Sequence, residues 1–149
     1  MAINTTFVAG AILTAAQTNN LPFGVVGYQN YTGGNFTATT SQTAVTGISI
    51  AFTGVAGRIY KATFTAECQS VTSAHRTTAR VYQGLTGLTE GVSYAGAGDY
   101  NDLMVIAIFE ATGATTMTVQ ATANAHTSVL LGAAAPNNMV FIIEDIGKN

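Results

Sequence analysis

Residues 58–70, RIYKATFTAECQS, alternate strictly between apolar and polar side chains and decide the fold class. One face of this segment would carry Tyr60, Ala62, Phe64, Ala66 and Cys68, and the other Lys61, Thr63, Thr65, Glu67 and Gln69. Strict alternation with one polar face is typical of a strand in an antiparallel sheet that covers a core on one side. The segment therefore predicts a half-buried β-strand and indicates an all-β protein.

The β pattern continues on both sides of this strand. Residues 44–52 also alternate, and turns rich in Gly and Asn separate the apolar segments. About seven or eight short strands, with long loops over 84–102 and 124–138, predict an antiparallel β-sandwich, with a jelly-roll topology ahead of an immunoglobulin-like one. The short join between 44–52 and 58–70 also predicts a hairpin.

Two further segments, 103–110 (LMVIAIFE) and 139–146 (MVFIIEDI), are apolar on both faces. One face of a sandwich strand fills the core, so the second needs a cover, which is either an element of the same chain or a neighbouring subunit. In compact trimeric jelly rolls the inner sheets pack around a threefold axis. We therefore predict a homotrimer, with a helix or loop of the same chain as the alternative cover. The predicted interface residues are Met104, Ile106, Ile108, Val140 and Ile142.

Residues 7–20, FVAGAILTAAQTNN, contain no charged side chain. Thr14 and Gln17 match a capping box, which predicts a short helix that Pro22 prevents from continuing. No basic residue precedes the stretch, and polar residues interrupt its apolar run. We therefore expect neither an export signal nor a membrane span.

The composition indicates a protein that works attached to other proteins. Charged residues make up 8% of the chain, against about 25% in typical soluble domains, and a free monomer usually needs more charge to stay dispersed. We predict a docking arm over 1–22 and a β-sandwich domain over 23–149. The arm would dock through Phe7, Val8, Ile12 and Leu13.

The charge and cysteine content exclude several other classes of function. The net charge is −2 and the five basic residues form no run, so we expect no binding to nucleic acid. Cys68 is the single cysteine, which excludes an internal disulfide framework, and we expect it to be a small buried hydrophobe.

Few side chains offer chemistry. His75 and His126 lie in separate predicted turns or loops, and no nucleophile or zinc motif surrounds them. Asp99, Asn101 and Asp102 approach the spacing of a calcium loop but lack its glycine and distal glutamate, so we interpret them as a turn. Glu144 and Asp145 are expected to be a solvated strand end. We predict no enzyme activity, no metal site and no cofactor.

Three stretches resemble structural proteins of tailed phages. FVAGAILTAAQTNN (7–20) resembles the N-terminal leader of many such proteins. VTGISIAFTGVAGRIYKATFTAECQS (45–70) resembles the hairpin in β-sandwich domains of phage tail, fibre and head-decoration proteins, and VFIIEDIG (140–147) is similar to the ending of those domains. The resemblance covers about a third of the chain. It implies a structural role, and no catalytic residues carry over from it.

The resemblance implies a virion protein, made in the host cytoplasm without a signal peptide. We expect a capsid decoration or cement protein that stabilises the head by binding over contacts between major capsid proteins. The alternative is a receptor-binding or fibre module, in which the loops 84–102 and 124–138 would contact host glycan through Tyr94 and Tyr100. A third interpretation, a depolymerase, would use a pair of carboxylates to hydrolyse glycan. Its candidates are Glu67, Glu90, Asp99, Asp102 and Glu110.

Overall fold

The computed structural model describes residues 23–70, 73–123, 128–131 and 138–148, and these residues form ten β-strands in two antiparallel sheets. The strands are β1 Gly24–Tyr31, β2 Phe36–Ala38, β3 Thr43–Gly54, β4 Arg58–Ser70, β5 His75–Gln83, β6 Thr86–Ala95, β7 Tyr100–Glu110, β8 Gly113–Ala123, β9 Ser128–Leu131 and β10 Met139–Lys148. The predicted arm lies outside the described residues, together with its docking side chains Phe7, Val8, Ile12 and Leu13 and the helix cap Thr14 and Gln17.

The order of the strands is that of a jelly roll. β1-β10-β4-β7 form one sheet, which the short strands β9 and β2 extend beside the far end of β4 to six strands. β3-β8-β5-β6 form the second, four-stranded sheet. The predicted antiparallel sandwich is therefore confirmed, in its jelly-roll form.

The core lies between the two sheets and is built by strict alternation along the long strands. In β4 every second residue, from Arg58 to Ser70, is buried, and the residues between them are half-buried. Tyr60 packs against Phe52 of β3 at 5.0 Å and against Phe109 of β7 at 5.8 Å between ring centroids. Aromatic pairs at these separations stabilise a core beyond their buried area. This cluster joins the two sheets at one end of the sandwich.

Two details of the predicted connectivity are wrong. β3 and β4 do not form a hairpin: β3 pairs with β8, whereas β4 pairs with β7, β9 and β10. The connection between them crosses from one sheet to the other. A short connection between two apolar segments does not show in the sequence whether the strands pair with each other or belong to opposite sheets. The predicted loop 84–102 is largely strand β6, and the predicted loop 124–138 contains β9.

The sequence did not predict β6, because glycine and threonine residues interrupt its apolar pattern. Gly91 shows why a glycine lies in this strand. A Cβ at Gly91 would collide with the backbone carbonyl of Met104 on β7. Gly91 thus lets β6 of one sheet approach the edge strand β7 of the other sheet. This close approach covers part of an edge that would otherwise present unpaired backbone groups.

Candidate oligomer interface

The five side chains predicted to form an interface lie on one surface, the outer face of β1, β10, β4 and β7, called here the apolar face. Ile106 of β7 pairs with Thr63 of β4, and Thr63 pairs with Ile142 of β10. Directly paired residues of antiparallel strands share a face of the sheet. Met104 and Val140 flank Thr65 in the same way. The predicted residues therefore form two apolar rows, about 10 Å apart across the threonines of β4.

The row on β7 is the more accessible of the two. Met104 and Ile108 are each 58% exposed and Ile106 is 44% exposed, whereas Val140 and Ile142 are half-buried. The opposite side of β7 carries Leu103, Val105, Ala107 and Phe109, all of which are buried in the core. The prediction that this strand is apolar on both faces is confirmed, and its second face is open to solvent in the described part of the chain.

Sequence reasoning missed the contribution of β1 to this surface. Tyr28 pairs with Ile142 and is 60% exposed, and Val25 pairs with Glu144 and is 59% exposed. The register of β1 shifts between Val25 and Gly27, so simple alternation along GVVGYQNY does not identify the outward residues. Only the pairing with β10 places Tyr28 beside the apolar rows.

Charged groups are found at the two ends of the apolar face. At one end, Lys61 Nζ lies 2.6 Å from a carboxylate oxygen of Glu144, with both side chains about one third exposed. At the other end, Glu67 and Asp102 lie directly opposite each other in the pairing of β4 with β7. These two carboxylates line a shallow depression together with Met104. Like charges directly opposite each other on paired strands are destabilising. This end of the apolar face is therefore suited to remain exposed to water.

A buried ion pair joins the strands at the end where Lys61 lies. Arg58 and Asp145 are 3% and 2% exposed, and the guanidinium binds the carboxylate through Nε to Oδ2 and through Nη2 to Oδ1, the latter at 2.7 Å. The hydrogen bond with Asp145 raises the pKa of Arg58 above its ordinary value. The amide of Gly147 donates to Asp145 Oδ1 at 3.0 Å. The pair fixes β4 against β10 where the register of β10 shifts.

The expectation of a solvated strand end is therefore wrong for Asp145, although Glu144 does lie on the outer face. A signal for this was present, since Asp145 follows Met139, Phe141 and Ile143 at intervals of two and so belongs to the inward side of β10. The aromatic ring of Phe23 lies over the Arg58 guanidinium, 3.9 Å from its carbon to the ring centroid. This cation–π contact attaches Phe23, the residue before β1, to the ion pair.

Of the side chains considered for chemistry, Glu67 and Asp102 lie together at one end of the apolar face, whereas Glu90 lies on the other sheet and Glu110 pairs with Ile59 at the far end of β4. Cys68 is 1% exposed, and burial raises the pKa of its thiol, as suits the predicted structural role. The side-chain amide of Asn101 donates to the backbone carbonyl of Tyr94. The backbone amide of Asp99 donates to the backbone carbonyl of Gly96 at 3.1 Å. Within the described ranges, no three His, Cys, Asp or Glu side chains come together as metal ligands. His126 lies outside those ranges.

The two tyrosines proposed to contact glycan belong to different sheets. Tyr94 of β6 pairs with Arg76 and faces outward from the four-stranded sheet, where it is 69% exposed. Tyr100 of β7 pairs with Gln69 and faces outward from the six-stranded sheet, where it is 54% exposed. They therefore do not form one flat platform on a loop tip. No helix among the described residues is long and apolar enough to cross a membrane.

Comparison with known proteins yields a similar fold and no family. No protein-family model matches the chain, and no curated protein matches it significantly. The Eiger TNF of S. frugiperda is similar in structure, with a TM-score of 0.53 and 7% identity over 87% of this chain and 95% of that chain. Murine APRIL at pH 5.0 has a TM-score of 0.44, with 11% identity over 82% of this chain and 98% of that chain.

A third solved structure contains the CBM22-1 and GH10 modules of Clostridium thermocellum xylanase 10B with xylohexaose. It has a TM-score of 0.38 and 12% identity over 87% of this chain and 29% of that chain. At these identities the similarities bear on the fold alone. The similarity to the Eiger TNF supports the jelly roll.

Proposed function

We propose that this chain is a structural protein of a tailed-phage virion, a capsid decoration protein that acts as a homotrimer on the surface of the head. The observation that carries the proposal is the exposure of Met104, Ile106 and Ile108 in one row on the apolar face. The trimer would bind over contacts between major capsid proteins and hold them together. Its role would be mechanical and would need no cofactor.

The apolar face supports self-association of the chain. Large apolar side chains in a continuous patch are uncommon on monomeric soluble proteins and mark interaction sites. Thr63 and Thr65 separate the two apolar rows without adding charge, so burial of the centre of the face desolvates two hydroxyl groups and no ion. Three copies related by a closed rotation would each bury this face without leaving an unmatched surface.

The docking arm supplies the proposed contact with the capsid. The described chain begins at Phe23, immediately before β1, which forms the edge of the six-stranded sheet next to β10. An arm that precedes β1 therefore starts at the border of the apolar face. Burial of Phe7, Val8, Ile12 and Leu13 would contribute about 1.5–3 kcal/mol for each side chain before the cost of ordering the arm. Many copies on one shell would add avidity.

Heads that lack the protein provide the direct test of this function. Purified full-length chain is mixed with heads of the source phage, and bound copies are counted by gel densitometry and located by cryo-electron microscopy. Phe7→Asp and Ile12→Asp should lower occupancy strongly, whereas Thr6→Asp, a matched charge in the same segment, should leave it close to that of the unsubstituted chain. Failure of the full-length chain to bind heads would refute the decoration role. Equal occupancy for all three variants would refute docking through the arm.

A further inference from the structure

The outer face of the four-stranded sheet differs from the apolar face in chemistry and is called here the polar face. Its centre is formed by Tyr82 and Arg80 of β5, Glu90 of β6, and Thr116 and Thr118 of β8. Arg80 pairs with Glu90, and Tyr82 pairs with Thr118, so these side chains lie in adjacent rows on one surface. The function proposed above makes no use of this surface.

Tyr82 is held against the sheet by the absence of a side chain at Gly87. A Cβ at Gly87 would lie 3.4 Å from two ring atoms of Tyr82 and 2.9 Å from Cδ of Arg80. The ring and the stem of the arginine therefore rest directly on the backbone of β6. Tyr82 is half-buried, so the sheet supports the ring while part of it remains accessible.

Hydrogen bonds fix the polar groups around this ring. The Arg80 guanidinium binds the Glu90 carboxylate through Nη2, and the arginine stem and the Tyr82 ring both lie beside Gly87. The side chains of Arg80 and Glu90 nevertheless stay 38% and 46% exposed. A guanidinium has five N–H donors and a carboxylate has about four acceptor positions, so the pair retains capacity for a ligand. Because the two charges neutralise each other, the cluster suits a ligand without charge.

A shallow depression adjoins the cluster on the same face. It is lined by Thr53 and Ala51 of β3, Thr116 of β8 and Gly84, which follows the end of β5. Thr116 lies two residues from Thr118, the partner of Tyr82, so the depression begins about 7 Å from that row. Three threonine hydroxyl groups, from Thr53, Thr115 and Thr116, border this depression, and each can donate and accept a hydrogen bond.

The polar face also extends along β5 and β6 away from Tyr82. Tyr94 lies on the same face, opposite Arg76, at the other end of the strand pair. Tyr82 lies six positions after Arg76 on β5, which places the two tyrosine rows about 20 Å apart. An extended chain of several sugar rings would cover this distance, with Arg80 and Glu90 between the two aromatic ends.

We infer that the polar face binds a neutral polysaccharide, with Tyr82 packing against the apolar side of one sugar ring and Arg80 and Glu90 hydrogen-bonding to its hydroxyl groups. Adjacent donors and acceptors fit the vicinal hydroxyls of a sugar, and a rigid aromatic ring gives the contact a well-defined geometry. The face is outward in any assembly that buries the opposite sheet, so the site remains accessible in the proposed homotrimer. The inference does not depend on the virion role.

Affinity electrophoresis of the full-length protein tests the inference. Native gels would contain dextran, mannan, a soluble β-glucan or a neutral bacterial O-antigen polysaccharide, with hyaluronate and heparin as acidic comparators. We expect at least one neutral polysaccharide to retard the protein. Tyr82→Ala and Arg80→Ala should each weaken the apparent affinity about tenfold, the effect of losing a contact worth roughly 1.4 kcal/mol.

Two further variants keep the test decisive. Tyr100→Ala removes an exposed tyrosine from the other sheet and should leave the retardation unchanged. Glu90→Gln preserves the size of an exposed side chain, so weaker binding by this variant supports the site even if Tyr82→Ala folds poorly. The inference is overturned if no neutral polysaccharide retards the protein, if only the acidic ones do, or if Arg80→Ala and Glu90→Gln bind as well as the unsubstituted chain. Sedimentation of each variant keeps this result separate from any loss of self-association.

Discussion

Replacement of Ile106 by aspartate is the sharpest test of the apolar face. Ile106 occupies the middle of the exposed row on β7 and is 44% exposed in the single chain. Complete burial of an isoleucine side chain stabilises by about 1.5–3 kcal/mol, so burial of the exposed part in an interface would contribute about 1 kcal/mol. Three copies would lose about 3 kcal/mol per trimer, which lowers the association constant by about two orders of magnitude before any cost of burying the new carboxylates.

Sedimentation velocity over a range of concentrations measures this effect. The unsubstituted protein should sediment as three copies of the 15.3 kDa chain, and Ile106→Asp should shift it toward the single chain, with Ile106→Thr between them. Val92→Asp is the matched control, because Val92 is 42% exposed on the outer face of the other sheet. The reasoning is refuted if the unsubstituted chain sediments as a monomer throughout, or if Val92→Asp dissociates the protein as much as Ile106→Asp does.

The buried ion pair and the buried cysteine give two further predictions about stability. Asp145→Ala should lower the free energy of unfolding by about 3–5 kcal/mol, since it leaves the Arg58 guanidinium buried without its main partner. Urea unfolding measures this loss. A loss no larger than that of Glu144→Ala, on the exposed side of the same strand, would contradict the prediction. Burial raises the pKa of Cys68 above the ordinary value of a thiol, so its contribution to stability is fully present below about pH 9 and is lost as the pH rises further. Cys68→Ala should therefore flatten the fall in stability above about pH 9, and an unchanged slope in alkaline urea titrations would show that other groups cause it.

The candidate interface was largely predictable, whereas the polar face was not. The five interface residues follow from two segments whose apolar side chains occupy both faces of a strand, a pattern that a local reading detects. Arg80, Glu90 and Tyr82 carry no such pattern, because their association depends on pairing between β5, β6 and β8. The space that admits the Tyr82 ring depends on Gly87 of a strand whose composition resembles a loop.

By itself, the sequence determined the all-β class, the bounds of β4 and that Met104, Ile106 and Ile108 share one face of their strand, because period-two alternation is a property of each strand alone. Only the tertiary structure decided that β3 and β4 belong to opposite sheets, that Asp145 is buried with Arg58, and that Tyr28 joins the apolar face. Pairing between strands depends on which partners bury the most apolar surface and satisfy the most backbone hydrogen bonds over the whole domain. That choice is made between segments far apart in the chain, so no single stretch of residues contains it.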